Sequence, residues 1–131
     1  MTVTSNDIRQ YQARKHQLQA IDDEIEWTYG KVSSPNGNRS GGSSSPGDPT
    51  ATKVRRVEAL NDKRQKILAK QKEVEDYVDA LEDVEVSNII RYRYIIGWTW
   101  ENVAIRMRGS PNYQQLHRKV RRHFRDMKVT E

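Results

Sequence analysis

The stretch Ile96-Gly97-Trp98-Thr99-Trp100-Glu101-Asn102-Val103-Ala104, continued by Met107-Arg108-Gly109-Ser110-Pro111, decides how the chain is read. Thr99 can cap a helix by accepting an otherwise unpaired backbone N–H, and Glu101 places negative charge at the positive end of that helix's dipole. Val103, Ala104 and Met107 give the short helix one apolar side, and Gly109 ends it with a tight turn. Small Ala104 allows a second helix to cross closely. Ser110-Pro111, a cap residue followed by proline, predicts that this second helix opens there. Tyr113, Leu116, Val120, Phe124 and Met127 then recur at helical spacing. A short helix, a glycine turn and a longer crossing helix make a helix-turn-helix.

The polar residues of the last helix give that geometry a chemistry. Asn112, Gln114, Gln115 and Arg118 carry side chains that can form paired hydrogen bonds with base edges in a DNA major groove, and are the base-reading candidates. Arg106, Arg108, Ser110, Lys119, Arg121, Arg122 and Arg125 are candidates for phosphate contacts, whose strength falls with salt. A basic amphipathic helix is more often a solvated face over a small core. Charge distribution weighs against that reading here. Residues 1–85 hold 13 Lys/Arg against 15 Asp/Glu, whereas residues 86–131 hold 10 against 3. A concentrated positive field attracts a polyanion. The helix lacks the large lipid-facing run of Trp, Leu and Phe that a membrane surface requires.

Upstream of the deciding stretch, Val86, Ile89, Ile90 and Tyr94 predict a helix from Val86 to Ile96, stopped by Gly97. Glu82-Asp83-Val84-Glu85 marks a bend before it. Residues 51–85 read as one long amphipathic helix whose heptad positions are Val57, Leu60, Ile67, Val74, Val78 and Leu81, with Arg64 and Gln71 as polar interruptions. Asp48-Pro49 resembles a helix start. Residues 33–50, rich in Ser, Gly and Pro, read as a flexible linker. Residues 1–32 form the N-terminal helix, opened by a capping box between Thr4 and Asp7 and closed by Gly30, with Tyr11, Leu18, Ile21 and Ile25 on its stripe. The expected fold is all-α: an N-terminal helical hairpin or coiled-coil arm, and a C-terminal helix-turn-helix over residues 86–131. The stripes serve equally a hairpin within one chain and a homo-oligomer through the arm.

Composition narrows the rest. Of 131 residues, 34% are hydrophobic and 31% charged, little apolar material for one fully buried core. The absence of cysteine removes disulfides, thiolate nucleophiles and cysteine-held metals. No apolar run is long enough to span a membrane and no signal-peptide pattern opens the chain, so the cytoplasm is the expected compartment. No nucleophile–base pairing, phosphate-cradling glycine loop or metal cluster is legible, and neither catalysis nor a cofactor is expected. His117 and His123 are about 240° apart around a helix and cannot share a metal. Asp22, Asp23 and Glu24 read as a solvated charge run. Trp98 and Trp100 read as core packing rather than base stacking.

The residues Arg91-Tyr92-Arg93-Tyr94-Ile95-Ile96-Gly97-Trp98-Thr99-Trp100-Glu101 through Val103-Ala104 resemble the region 4 helix-turn-helix of sigma factors, and more closely the phage late-gene transcriptional regulators of the RinA/ArpU type. The resemblance extends over the N-terminal helix, Ser-rich connector, long helix and acidic hinge, although only the C-terminal third is specific. It implies that Trp100, Val103 and Ala104 are core and that the DNA-reading helix begins at Ser110. The chain departs from the sigma pattern between Met107 and Tyr113, one residue shorter, and at Pro111, where a polar contact residue is usual. The resemblance implies sequence-specific double-stranded DNA binding that regulates phage genes. Two alternatives stay open: DNA packaging, in the manner of a phage terminase small subunit, and a non-catalytic module docking on RNA polymerase without touching DNA.

Overall fold

The computed structural model describes residues 3–30 and 49–130. All regular structure among them is helical: α1 (Ser5–Arg9), α2 (Tyr11–Thr28), α3 (Pro49–Asp79), α4 (Val84–Ile90), a π-helical turn (Arg91–Ile96), α5 (Trp100–Arg108) and α6 (Gln114–Thr130). The protein is all-α, as the sequence predicts. The linker expected at 33–50 lies outside the described residues except for Pro49 and Thr50, which belong to α3. Proline there suits a first helical position, where its missing N–H costs no bond.

The described residues form two compact units. One contains those up to Arg14 together with those from Ala69 onward; the other spans Lys15 to Leu68. The unit holding the C-terminal helices is therefore larger than 86–131, and the boundaries fall inside α2 and α3.

The first unit is built around a core of Ile8, Val74, Val78, Val86, Ile89, Ile90, Val103, Ala104, Leu116, Val120, Phe124 and Met127. Five short or partial helices each contribute one apolar edge, none of which could bury itself alone. The capping box exists: the Thr4 N–H donates to Asp7 Oδ2 at 3.0 Å and the Asp7 N–H donates to Thr4 Oγ1 at 3.1 Å. The continuous N-terminal helix expected from Thr4 to Tyr29 is instead interrupted at Gln10. Near this break the Arg14 guanidinium donates to the Asp7 carbonyl and to its carboxylate, both at 3.2 Å. Burial raises the Asp7 pKa, but the hydrogen bonds from Thr4, the charge of Lys70 and the hydrogen bond from Arg14 outweigh it and hold the carboxyl below its ordinary value.

Helix α3 ends at Asp79, short of the expected residue 85. Asp83 starts a separate helix by accepting the Val86 N–H at 3.2 Å, and Ser87 turns its hydroxyl back to donate to the Val78 carbonyl at 2.9 Å. The segment 86–96 is helical, yet its second half widens into the π-turn, where the N–H groups of Gly97 and Trp98 both donate to the Tyr92 carbonyl. Gly97 leaves the turn at φ 96°, and a Cβ there would lie 3.0 Å from the Gln12 side chain. The Gln12 amide donates to the Tyr94 and Ile95 carbonyls at 3.2 and 2.6 Å, satisfying acceptors that the widened helix leaves open. Gln71, one of the polar heptad positions, is buried and donates to the Tyr11 carbonyl at 3.0 Å.

The second unit is sparser. Ile21 and Val57 are its buried hydrophobics among the described residues, joined by Thr28, whose hydroxyl donates to the Glu24 carbonyl. Arg64, the other polar heptad position, donates to Asp22 at 2.8 Å, and Arg56 pairs with Glu24. Both polar interruptions of the α3 heptad are thus used by α2 of the same chain.

Candidate nucleic-acid interface

The candidate interface comprises α5, the loop after it and α6. Thr99 caps α5 by accepting the Asn102 N–H at 3.2 Å, and Gly109 ends it in the left-handed region at φ 75°, its N–H donating to the Ile105 carbonyl. Val103 and Ala104 are completely buried against the core, and Met107 is half-buried. Trp100 is held among rings, edge-on to His117 at 4.9 Å and to Tyr94 at 6.3 Å. Trp98 stacks on Tyr92 at 4.8 Å. Both tryptophans are half-buried and face the protein's own aromatic side chains.

The start of the last helix departs from expectation. Ser110-Pro111 does not open it; α6 begins at Gln114. The Ser110 hydroxyl accepts the Asn112 N–H and the Asn112 side-chain oxygen accepts the Gln114 N–H, each at 3.3 Å. These side-chain-to-backbone turns give the segment an alternative to helix, so the chain stays in a loop through Tyr113. Asn112, expected on the base-reading surface, spends its carbonyl oxygen on capping and lies ahead of the helix.

From Gln114 onward, burial follows the expected stripe: Leu116, Val120, Phe124 and Met127 are buried, and Tyr113 is half-buried in the preceding loop. The opposite side of α6 is exposed along Gln114, Gln115, Arg118, Arg121, Arg122 and Arg125. Gln114, Arg118, Arg122 and Arg125 lie within about 80° of one another around the helix axis, at 100° per residue. None of Arg118, Arg121, Arg122 and Arg125 has an ion pair or hydrogen bond among the described residues. From Gln114 to Arg125 this ridge is about 17 Å long.

Three other candidates are drawn into a separate cluster. The Lys119 ammonium lies 2.7 Å from Glu85 Oε1 and 3.6 Å from Asp83. Arg108 bridges Glu85 at 3.3 Å and Gln115 Oε1 at 3.2 Å. The hydrogen bond from Lys119 holds Glu85 below the usual carboxylate range, and reciprocally Glu85 raises Lys119. The acidic bend read from sequence thus neutralises two cations expected to meet phosphate. Arg106 does not join Arg108; the two are about 160° apart around α5. Arg106 instead borders an apolar depression with Trp98, Asn102 and Ile105.

Sequence reasoning missed two cations. Lys128 continues the α6 spacing seven residues after Arg121 and was legible there. Arg9, from α1, has its guanidinium 4.9 Å from the centre of the Phe124 ring, and nothing local in the sequence connects residue 9 to α6.

The ridge and its burial pattern rest on this chain alone. No protein-family model, curated protein or solved structure matches it. Among the described residues no group of three or more His, Cys, Asp and Glu is placed to hold a metal ion, and no helix is long and apolar enough to cross a membrane. His123, whose Nε2 lies 2.8 Å from the Tyr77 hydroxyl, is occupied in packing, and burial lowers its pKa against the raising charges of Asp126 and Asp83.

Proposed function

We propose that the protein binds double-stranded DNA and regulates transcription, with α5, its loop and α6 acting as a helix-turn-helix. The observation that carries the reading is the unpaired arginine ridge of α6, set opposite a continuous buried stripe. Four guanidinia without carboxylate partners among the described residues repel one another, and a polyanion relieves that repulsion. A B-DNA major groove about 12 Å wide admits one helix. Gln114, Gln115 and Arg118 lie in the N-terminal turns of α6, the part that reaches bases in this docking mode. Arg122 and Arg125 suit phosphates. Arg121, at the edge of the ridge, suits the backbone alongside.

The likeness of the 91–104 segment to phage late-gene regulators and sigma region 4 supports a transcriptional role rather than packaging. A pairing of two copies through the arm fits exposed Trp27, Tyr29 and Val54 in the unit spanning Lys15 to Leu68; two recognition helices would then meet repeated half-sites. A second reading, docking on RNA polymerase, draws on the depression beside α5, where Ile105 is 51% exposed.

Selection of bound fragments from the genome that encodes the protein tests the first reading. A small set of related sites should be enriched. Replacing Arg118 or Gln115 by alanine should broaden that set, whereas replacing Arg122 or Arg125 should weaken binding to all fragments alike. Enrichment no better than for bulk DNA, unaltered by all four substitutions, contradicts the reading. Recovery of a closed ring of about eight or more copies would favour packaging instead.

A further inference from the structure

Helix α1 brings a cation to α6 from the other end of the sequence. Arg9 borders a depression of about 160 Å³ together with Arg121, Phe124, Arg125 and Lys128. The four charged residues are exposed, and Phe124 forms the buried floor. The Arg9 guanidinium lies 4.9 Å from the Phe124 ring centre, a cation–π distance that restrains it without neutralising it. Capping-box residues Thr4 and Asp7 and buried Ile8 fix the short helix that presents it. Arg121, Arg125 and Lys128, at spacings of four and three, project along one side of α6. Among the described residues no carboxylate borders the depression. Four cations around one apolar floor form an anion site rather than an apolar pocket.

We infer that Arg9, Arg121, Arg125 and Lys128 clamp a phosphodiester group of the DNA backbone, so that α1 is a working part of the interface. The inference rests on the reading of α6 as the DNA-binding helix. It adds a contact beyond the base-reading end of that helix, and assigns it to the N-terminal segment, where the charge balance of the sequence gives no hint of one. A clamp near the C-terminal half of α6 would fix the angle at which the helix enters the groove, because phosphate contacts set register and orientation. Its anion is a backbone phosphate; the site reads no base.

The test uses the full chain, a duplex containing its selected site, and a titration of monovalent salt. Arg9→Gln should weaken binding roughly 3- to 10-fold at low salt and reduce the slope of log affinity against log salt by about one, the signature of one lost phosphate contact. Arg9→Lys should keep the slope, since an ammonium meets phosphate as a point charge. Circular dichroism of both variants checks that α1 remains folded. Unchanged affinity and slope in Arg9→Gln overturn the clamp. So does weaker binding with an unchanged slope, which would mark Arg9 as a packing residue only. A defect confined to binding of phosphatidylglycerol vesicles, with duplex binding intact, also overturns it. Arg118→Ala with Arg122→Ala separates this inference from the one beneath it: if that pair lowers duplex affinity while Arg9→Gln does not, the clamp alone is wrong; if neither does, α6 is not the DNA-binding helix.

Discussion

The two compact units use the same two long helices in different ways. Around the C-terminal helices, twelve buried hydrophobic residues from five helices converge on one core. Between Lys15 and Leu68, Ile21 and Val57 are the buried hydrophobics among the described residues, and Arg64–Asp22 and Arg56–Glu24 ion pairs join the helices. Exposed ion pairs of this kind each contribute little, about 0–1 kcal/mol. The lesson is that a densely packed core carries the arginine ridge, while the unit from Lys15 to Leu68 has apolar surface to spare: Trp27 is 61% exposed and Tyr29 54%.

The largest expected effect that separates the units comes from matched isoleucines. Ile89→Ala removes a completely buried side chain from the dense core and should cost roughly 3–5 kcal/mol in urea unfolding. Ile21→Ala, in the sparser unit, should cost no more than about 2 kcal/mol, because fewer neighbours are left around the cavity. Equal losses would break the contrast between the two.

Matched glycines sharpen it at a smaller scale. Gly97 and Gly30 both have positive φ, 96° and 75°, but a Cβ at Gly97 meets Gln12 whereas one at Gly30 meets nothing within 4 Å. Each alanine variant should lose about 1–2 kcal/mol from backbone strain, and Gly97→Ala should lose more by displacing Gln12 from the Tyr94 and Ile95 carbonyls. Denaturation midpoints of the two variants measure the difference; a larger loss at Gly30 would refute the assigned role of Gln12.

The smallest effect is one of pH. Burial keeps His123 neutral below its ordinary pKa of 6.5, so as pH falls the unfolded chain takes up its proton first. His123 therefore contributes stability that is complete above about pH 6.5 and is lost as pH falls through the lower folded-state value. Urea titrations across this range should show that loss in the native chain and less of it in His123→Gln. A slope of opposite sign would contradict the burial of this ring beside Tyr77.

Much of this architecture is legible in the sequence, and the failures have physical causes. The α6 stripe, the Thr4–Asp7 box and the Thr99 cap depend on residues within a few turns of one another, so local spacing reveals them. The heptad of α3 shows that one face is buried but says nothing about its partner: Val57 belongs to one unit, while Val74 and Val78 enter the core of the other. Ser110-Pro111 misled because Asn112 offers the backbone a competing turn, moving the helix start to Gln114. The acidic residues read as a bend, Asp83 and Glu85, also pair with Lys119, and Glu85 pairs with Arg108 as well. Sequence spacing reveals no such pairing between elements. Arg9 escaped notice for the same reason, since its place beside Phe124 depends on how α1 packs and on nothing in its own surroundings.

The central claim, that the unpaired ridge of α6 meets duplex phosphates, is tested most directly by measuring affinity for duplex DNA as monovalent salt is raised. Neutralising phosphates with Arg121, Arg122 and Arg125 predicts a log–log slope of roughly −3, steepened by about one if Arg9 joins them. A slope near zero, or no binding to duplex in dilute buffer, would contradict the account.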